Sequence, residues 1–138
     1  MSQSELKTID VTCAIVVDRN HLILVTQRSQ TMSLPLKWEF PGGKIELNET
    51  AEDCLIREIK EELDIEIEIL KRLDSNKHAY PNIMINLIPF TCRQAGGIIT
   101  LKEHANYKWL NPNELLDLDW ADADIPIMHN YLNYINAI

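Results

Sequence analysis

Between Thr50 and Leu63 the apolar residues Ala51, Leu55, Ile59 and Leu63 recur at every fourth position. That row lines one face of an α-helix, and Thr50 followed by Asp53 resembles a capping box, so the spacing predicts a helix from about Thr50 to about Leu63. Around it the pattern changes. Ile9 to Val17 and Leu22 to Thr26 are rich in β-branched residues and flank the polar turn Asp18-Arg19-Asn20-His21, which predicts a hairpin. Ile65 to Leu70 alternates and Ile83 to Cys92 is a longer apolar run; both read as strands.

Ser29 to Lys37 has no period and contains Pro35, so it reads as a loop leading into Trp38-Glu39-Phe40-Pro41-Gly42-Gly43, where two glycines permit unusual backbone angles. Asn111-Pro112-Asn113-Glu114 predicts a short helix to about Leu118, and Met128, Tyr131, Leu132 and Ile135 sit at helical spacing. Strands and helices intermix without repeat or linker. With 138 residues and 46% hydrophobic content, this predicts one layered α/β or α+β domain spanning 1–138.

Charge narrows the function. The net charge of -8, from 21 acidic and 13 basic residues, argues against a surface built to lie on nucleic acid or anionic lipid, so neither partner is expected. An acidic protein that handles phosphates needs a cation as intermediary. Cys13, Cys54 and Cys92 are far apart and read as reduced core residues, and Met1 to Thr8 has no apolar secretory segment, so the cytoplasm is the expected location.

On the predicted helix, Glu58 and Glu62 continue the row begun by Cys54 beside the buried face, and Glu61 adjoins them. Like charges at this spacing cost a few tenths of a kcal/mol each, roughly, and anions at a helix C-terminus oppose the macrodipole. Two readings are open. Either the acids are a solvated helix end with Arg57 paired to Glu61, or they converge on a hard divalent ion such as Mg²⁺ that removes the repulsion.

From Gly43 the chain runs five residues to Glu49, seven more, then Arg57-Glu58-Ile59-Lys60-Glu61-Glu62-Leu63-Asp64-Ile65, a span of 23 residues that closely resembles the Nudix box. Asp64 departs from it, because the family has glycine at this helix exit; aspartate tolerates the left-handed conformation better than most residues. Trp38 to Glu46 looks like the MutT-type subgroup, including its CTP pyrophosphohydrolase branch. The resemblance implies a Nudix fold, an α/β/α sandwich around a mixed sheet. It also implies hydrolysis of a nucleoside triphosphate to the monophosphate and pyrophosphate with Mg²⁺, or Mn²⁺ as substitute.

By the same resemblance Glu58, Glu61 and Glu62 are metal ligands, with the Gly42 carbonyl and Glu103 as further ones, and Glu58 or Glu103 is the base. Glu49 and Arg57 match positions that brace the catalytic carboxylates, although a plain loop-to-helix ion pair has nearly the same geometry. Arg28 matches a position that meets substrate phosphate or sugar. Glu39, Phe40 and Asp124 correspond to base-pocket positions, with Asp124-Ile125-Pro126 resembling the pyrimidine-acting branch. Tyr80 reads as packing. The expected partner is thus a small nucleotide, preferably a pyrimidine; the rivals are an 8-oxo-dGTP diphosphatase, hydrolysis of a dinucleotide or nucleotide sugar, and a binding module without turnover. The presence of every acid of the box favours catalysis.

Overall fold

A computed structural model of the protein describes residues 6–136. Its first sheet has the order β4-β1-β7-β5, with β6 also paired to β7. The members are β1 (Thr8–Val16), β4 (Gly42–Lys44), β5 (Ile65–Arg72), β6 (Asn76–Tyr80) and β7 (Ile83–Gly97). β7 runs parallel to β1, and its 15 residues are long enough to carry β6 along one half and β5 along the other. The second sheet, β3-β2-β8, is antiparallel and holds β2 (Ile23–Gln27) between β3 (Trp38–Glu39) and β8 (Asn106–Leu110).

The expected hairpin is corrected by this pairing. The turn itself forms: Asp18 Oδ1 accepts from the Asn20 and Leu22 N–H groups at 2.8 and 2.9 Å, and His21 takes a left-handed φ of 65°. A single bridge, Val17 to Ile23, follows, and then the strands part into different sheets. The reason is edge occupancy. β7 takes one edge of β1 from Thr8 to Val16 and β4 the other at Val11 to Cys13, while β2 pairs instead with β8 from Ile23 to Gln27 and with β3 at Thr26 and Gln27.

Two helices cover the sheets. On α1 (Ala51–Leu63) Leu55, Ile59 and Leu63 are fully buried, each stabilising the fold by about 1.5–3 kcal/mol. Thr50 Oγ1 caps its start by accepting from Asp53 N–H at 3.1 Å. Asp64 ends it at φ 58°, ψ 35°, its N–H bonded to Lys60 O, which is the left-handed exit expected of this position. A 3-10 helix (Pro112–Asp117) and α2 (Asp124–Asn136) complete the chain.

β1 alternates between two cores, as a strand buried on both faces must. Ala14 and Val16 point to the core of α1, with Leu24, Ile88, Phe90 and Cys92. Cys13 and Ile15 point to the core of α2, with Ile23, Val25, Ile127, Met128 and Tyr131. The result is the expected α/β/α layering around mixed β-structure, divided into two sheets. Cys13, Cys54 and Cys92 are free and buried. Among the described residues no helix is long and apolar enough to cross a membrane.

Candidate active site

A cavity of about 550 Å³ opens where the two sheets separate, within the ordinary size range of small-ligand pockets. Its wall collects residues remote in sequence: Arg28, Glu39, Phe40, Gly42, Glu62, Glu103 and Asp124 all border it, joined by Tyr80 and His104. Glu49, Arg57, Glu58 and Glu61 are not part of that lining; the last three form the adjoining outer edge of α1, and Glu49 lies in the loop before it.

The two glycines bring backbone and carboxylates close together. A Cβ on Gly42 would run into Thr12 O on the paired strand β1, and one on Gly43 would overlap the Glu58 carboxylate. Close approach of strand to strand requires glycine at Gly42, whereas at Gly43 the only atoms met belong to the Glu58 side chain of α1.

Glu62 is the least ordinary acid of the set. It is only 6% exposed, and its Oε1 is buried with no hydrogen-bond partner. Burial, the neighbouring Glu58, and the charges of Glu39 and Glu103 push its carboxyl up to about 10. Beside it, Arg57 draws the outer carboxylates together: Nη1 lies 3.0 Å from Glu58 Oε1 and 3.2 Å from Glu61 Oε2, while Nε and Nη2 hold both oxygens of Glu49. The Arg57 bond and the Glu46 N–H hold the Glu49 carboxyl down at about 2. Loop and helix are therefore tied, the geometry that both readings of these two residues share.

The Glu103 segment reaches the site by capping α1. The last carbonyls of a helix lack internal partners, and here Thr100 N–H bonds to Leu63 O at 2.9 Å and Lys102 N–H to Glu62 O at 3.1 Å. That places Glu103 exposed at the cavity and buries the next side chain, His104. His104 Nε2 lies 2.8 Å from Glu39 Oε2. Histidine next to a loop acid gives no burial signal in the sequence, so its position escaped the sequence reading.

At the opposite end, Trp38 N–H bonds to Asp119 O and Ala121 N–H to Trp38 O, both at 2.8 Å, which draws the start of α2 against β3. Asp124, 6% exposed, then accepts from Phe40 N–H through Oδ2 at 2.9 Å. Burial raises its carboxyl well above the usual carboxylate range, with the charge of Glu39 adding to the effect. Phe40 packs on Trp120 at 4.8 Å between ring centres. Tyr80, read as packing, also lines this cavity, and its hydroxyl accepts from Ala123 N–H at 3.1 Å. Arg28 is already engaged: Nε bonds to Ser33 O at 2.6 Å, Nη2 to Ser33 Oγ at 3.0 Å and Nη1 to Glu39 at 2.8 Å. It organises the 29–37 loop as well as facing the cavity.

The sequence matches the NUDIX domain family over residues 7–131. The chain belongs to the Nudix family. It is 32% identical to the CTP pyrophosphohydrolase of Escherichia coli (strain K12) over 127 residues, which cover 92% of this chain and 93% of that protein. It is also 32% identical to the 8-oxo-dGTP diphosphatase of Proteus vulgaris, over 70% of this chain and 87% of that one. Among solved structures, the MutT Nudix hydrolase of methicillin-resistant Staphylococcus aureus 252 is 43% identical and superposes with a TM-score of 0.74, covering 94% of this chain and 98% of that one. The MutT-like Nudix assignment made from the box and from Trp38 to Glu46 therefore holds.

The residues of this Nudix chain fit a hard divalent cation in their chemistry. The donors are oxygens, and Glu62 presents a buried, unpartnered carboxylate oxygen beside Glu58 and Glu103, an arrangement that a cation relieves. Among the described residues no ready-made group of three His, Cys, Asp or Glu side chains has ion-holding geometry. The Arg57 guanidinium pairs with Glu58 and Glu61.

Proposed function

We propose that this Nudix chain hydrolyses a nucleoside triphosphate to the monophosphate and pyrophosphate with Mg²⁺, or Mn²⁺ in its stead. The observation that carries the proposal is one cavity joining the buried carboxyl of Glu62, whose Oε1 has no hydrogen-bond partner, to the buried Asp124 beside Phe40. Ion-side and base-side groups thus share one chamber of nucleotide size.

Glu58, Glu61, Glu62, Glu103 and the Gly42 carbonyl hold the metal in this proposal. When bound, such an ion neutralises phosphate charge and lowers the pKa of water at the site. Glu58 or Glu103 takes the proton from the attacking water. Glu49 and Arg57 keep Glu58 and Glu61 in place, which the ion pairs of Arg57 support. Arg28 meets phosphate or sugar with donors left over from its bonds to Ser33 and Glu39. Phe40, Glu39 and Asp124 receive the base.

CTP or dCTP is the leading substrate, supported by likeness to a CTP pyrophosphohydrolase over nearly the whole length of both proteins. The second reading, 8-oxo-dGTP, draws on Asp124. An ionised aspartate accepts only, which suits the N4 amino group of cytosine and disfavours the O6 of guanine; its burial here favours a neutral acid that donates and so admits either base. The test is pyrophosphate release from CTP, dCTP, 5-substituted dCTP, 8-oxo-dGTP, a dinucleotide and a nucleotide sugar, each with and without Mg²⁺. Metal-dependent release, strongest with cytosine nucleotides, is expected. No turnover with any of them, together with nucleotide binding, would make the chain a binding module.

A further inference from the structure

One buried side chain at the cavity has no role in the hydrolysis proposed above. The His104 ring is 1% exposed and is held between two backbone anchors, Lys102 N–H on Glu62 O at 3.1 Å and Ala105 N–H on Gln27 O at 2.9 Å. Its Nε2 stands 2.8 Å from Glu39 Oε2 and 3.9 Å from Glu62 Oε1. A carboxylate accepts hydrogen bonds and does not donate, so the proton of the short contact sits on Nε2. The other oxygen of Glu39 takes Arg28 Nη1 at 2.8 Å. Glu39 is thus gripped through both oxygens, while Glu62 Oε1 and His104 Nδ1 are buried without partners. A histidine serving only to fill the core would satisfy its polar atoms or give way to an apolar residue.

We propose that His104 is a positioning residue: its Nε2–H holds the Glu39 carboxylate toward Arg28 and the substrate end of the cavity, and its ring keeps Glu39 apart from Glu62. The inference rests on the nucleotide-hydrolase reading and deepens it, because it says how the base-side acid is oriented. Without the ring, Glu39 keeps a single anchor, Arg28, and loses its fixed direction. The loss falls on substrate affinity, since Glu39 is bonded to Arg28 on the substrate side and the His104 ring stands between it and Glu62. Glutamine at this position reaches with an amide N–H and replaces the donor; leucine fills the space and cannot.

The test compares His104→Gln and His104→Leu with the wild-type protein, measuring kcat and KM for CTP, or for the best substrate of the nucleotide panel. It also measures the dissociation constant of the corresponding monophosphate without divalent metal. The leucine variant is expected to raise KM and that constant about tenfold or more with kcat within about threefold, and the glutamine variant to stay within about threefold of wild type in all three. Wild-type values in the leucine variant, or equal impairment of the two, overturns the proposal.

If the leucine variant does not fold, ¹⁵N spectroscopy of the ring decides, since it needs no substrate. The expected result is a slowly exchanging Nε2 proton in the wild type, with exchange accelerated in Glu39→Gln; a bare Nε2, or exchange unchanged by that substitution, overturns it. A wild-type protein that neither turns over nor binds any nucleotide defeats the hydrolase reading, and the ring measurement still decides the role of His104.

Discussion

Arg57 grips Glu49 with two nitrogens, Nε on Oε2 at 2.6 Å and Nη2 on Oε1 at 2.9 Å, and so ties the loop before α1 to the middle of that helix. The Glu49 side chain is 15% exposed and also accepts from Glu46 N–H at 3.0 Å. The same guanidinium reaches Glu58 and Glu61. Removing Glu49 therefore frees Arg57 and disturbs both.

Glu49→Gln should lower thermal stability at neutral pH and lower kcat through the loosened Glu58 and Glu61. The pH dependence has a definite sign. The folded-state pKa of Glu49, about 2, lies below its unfolded value of about 4.3, so the stabilisation is fully present above the unfolded value and is lost as pH falls through the folded one. Melting temperatures of the two proteins from pH 7 to pH 2 check this. A difference that grows on acidification contradicts it.

Glu62→Gln should abolish most turnover while leaving the fold intact, and should raise the melting temperature at neutral pH without divalent metal. Its carboxyl titrates near 10 when folded and about 4.3 when unfolded, so ionisation of the unfolded chain costs stability increasingly as pH rises above the lower value. The gain from glutamine is therefore absent near pH 4 and present at pH 7. Added Mg²⁺ should stabilise the wild type by mass action and the variant much less. Turnover within tenfold of wild type would rule out Glu62 as a ligand.

Asp64→Gly should leave activity nearly unchanged and stabilise the protein by roughly 1 kcal/mol or less. Asp64 sits at φ 58°, where glycine meets no Cβ penalty, and the substitution forfeits only an exposed pair with Lys60 at 3.1 Å. Chemical denaturation gives the difference directly. Clear destabilisation would mean that the pair with Lys60 outweighs the backbone term.

Asp124→Asn should change kcat/KM for CTP by no more than about threefold, because burial raises its carboxyl well above the usual carboxylate range, toward the protonated form whose donor and acceptor match those of an amide. The amide oxygen can still accept from Phe40 N–H. A tenfold loss, about 1.4 kcal/mol, would show that the carboxylate works ionised and accepts from the cytosine amino group. The same assay with 8-oxo-dGTP ranks the two bases.

Local signals account for the parts of the fold that were legible. α1 followed from its apolar row, its cap at Thr50 and its exit at Asp64, all set by residues within a few positions of one another. β3, β4, β6 and β8 were missed, because short strands such as Asn76–Tyr80 and Asn106–Leu110 are held by β7 and β2 and carry little pattern of their own. The apparent hairpin failed for the same reason, since β-pairing is decided by which edges remain free.

The sequence by itself determined the helix, the charged spacing that places the chain in the Nudix family, and the acids of the box, because side chains at i and i+4 on a helix are neighbours by local geometry alone. Only the tertiary structure decided that Glu62 is buried with its Oε1 unpartnered, that Asp124 lies against Phe40 N–H and that His104 stands between Glu39 and Glu62. Burial and partnership depend on contacts between residues far apart in the chain, 84 positions in the case of Phe40 and Asp124. No local pattern records them.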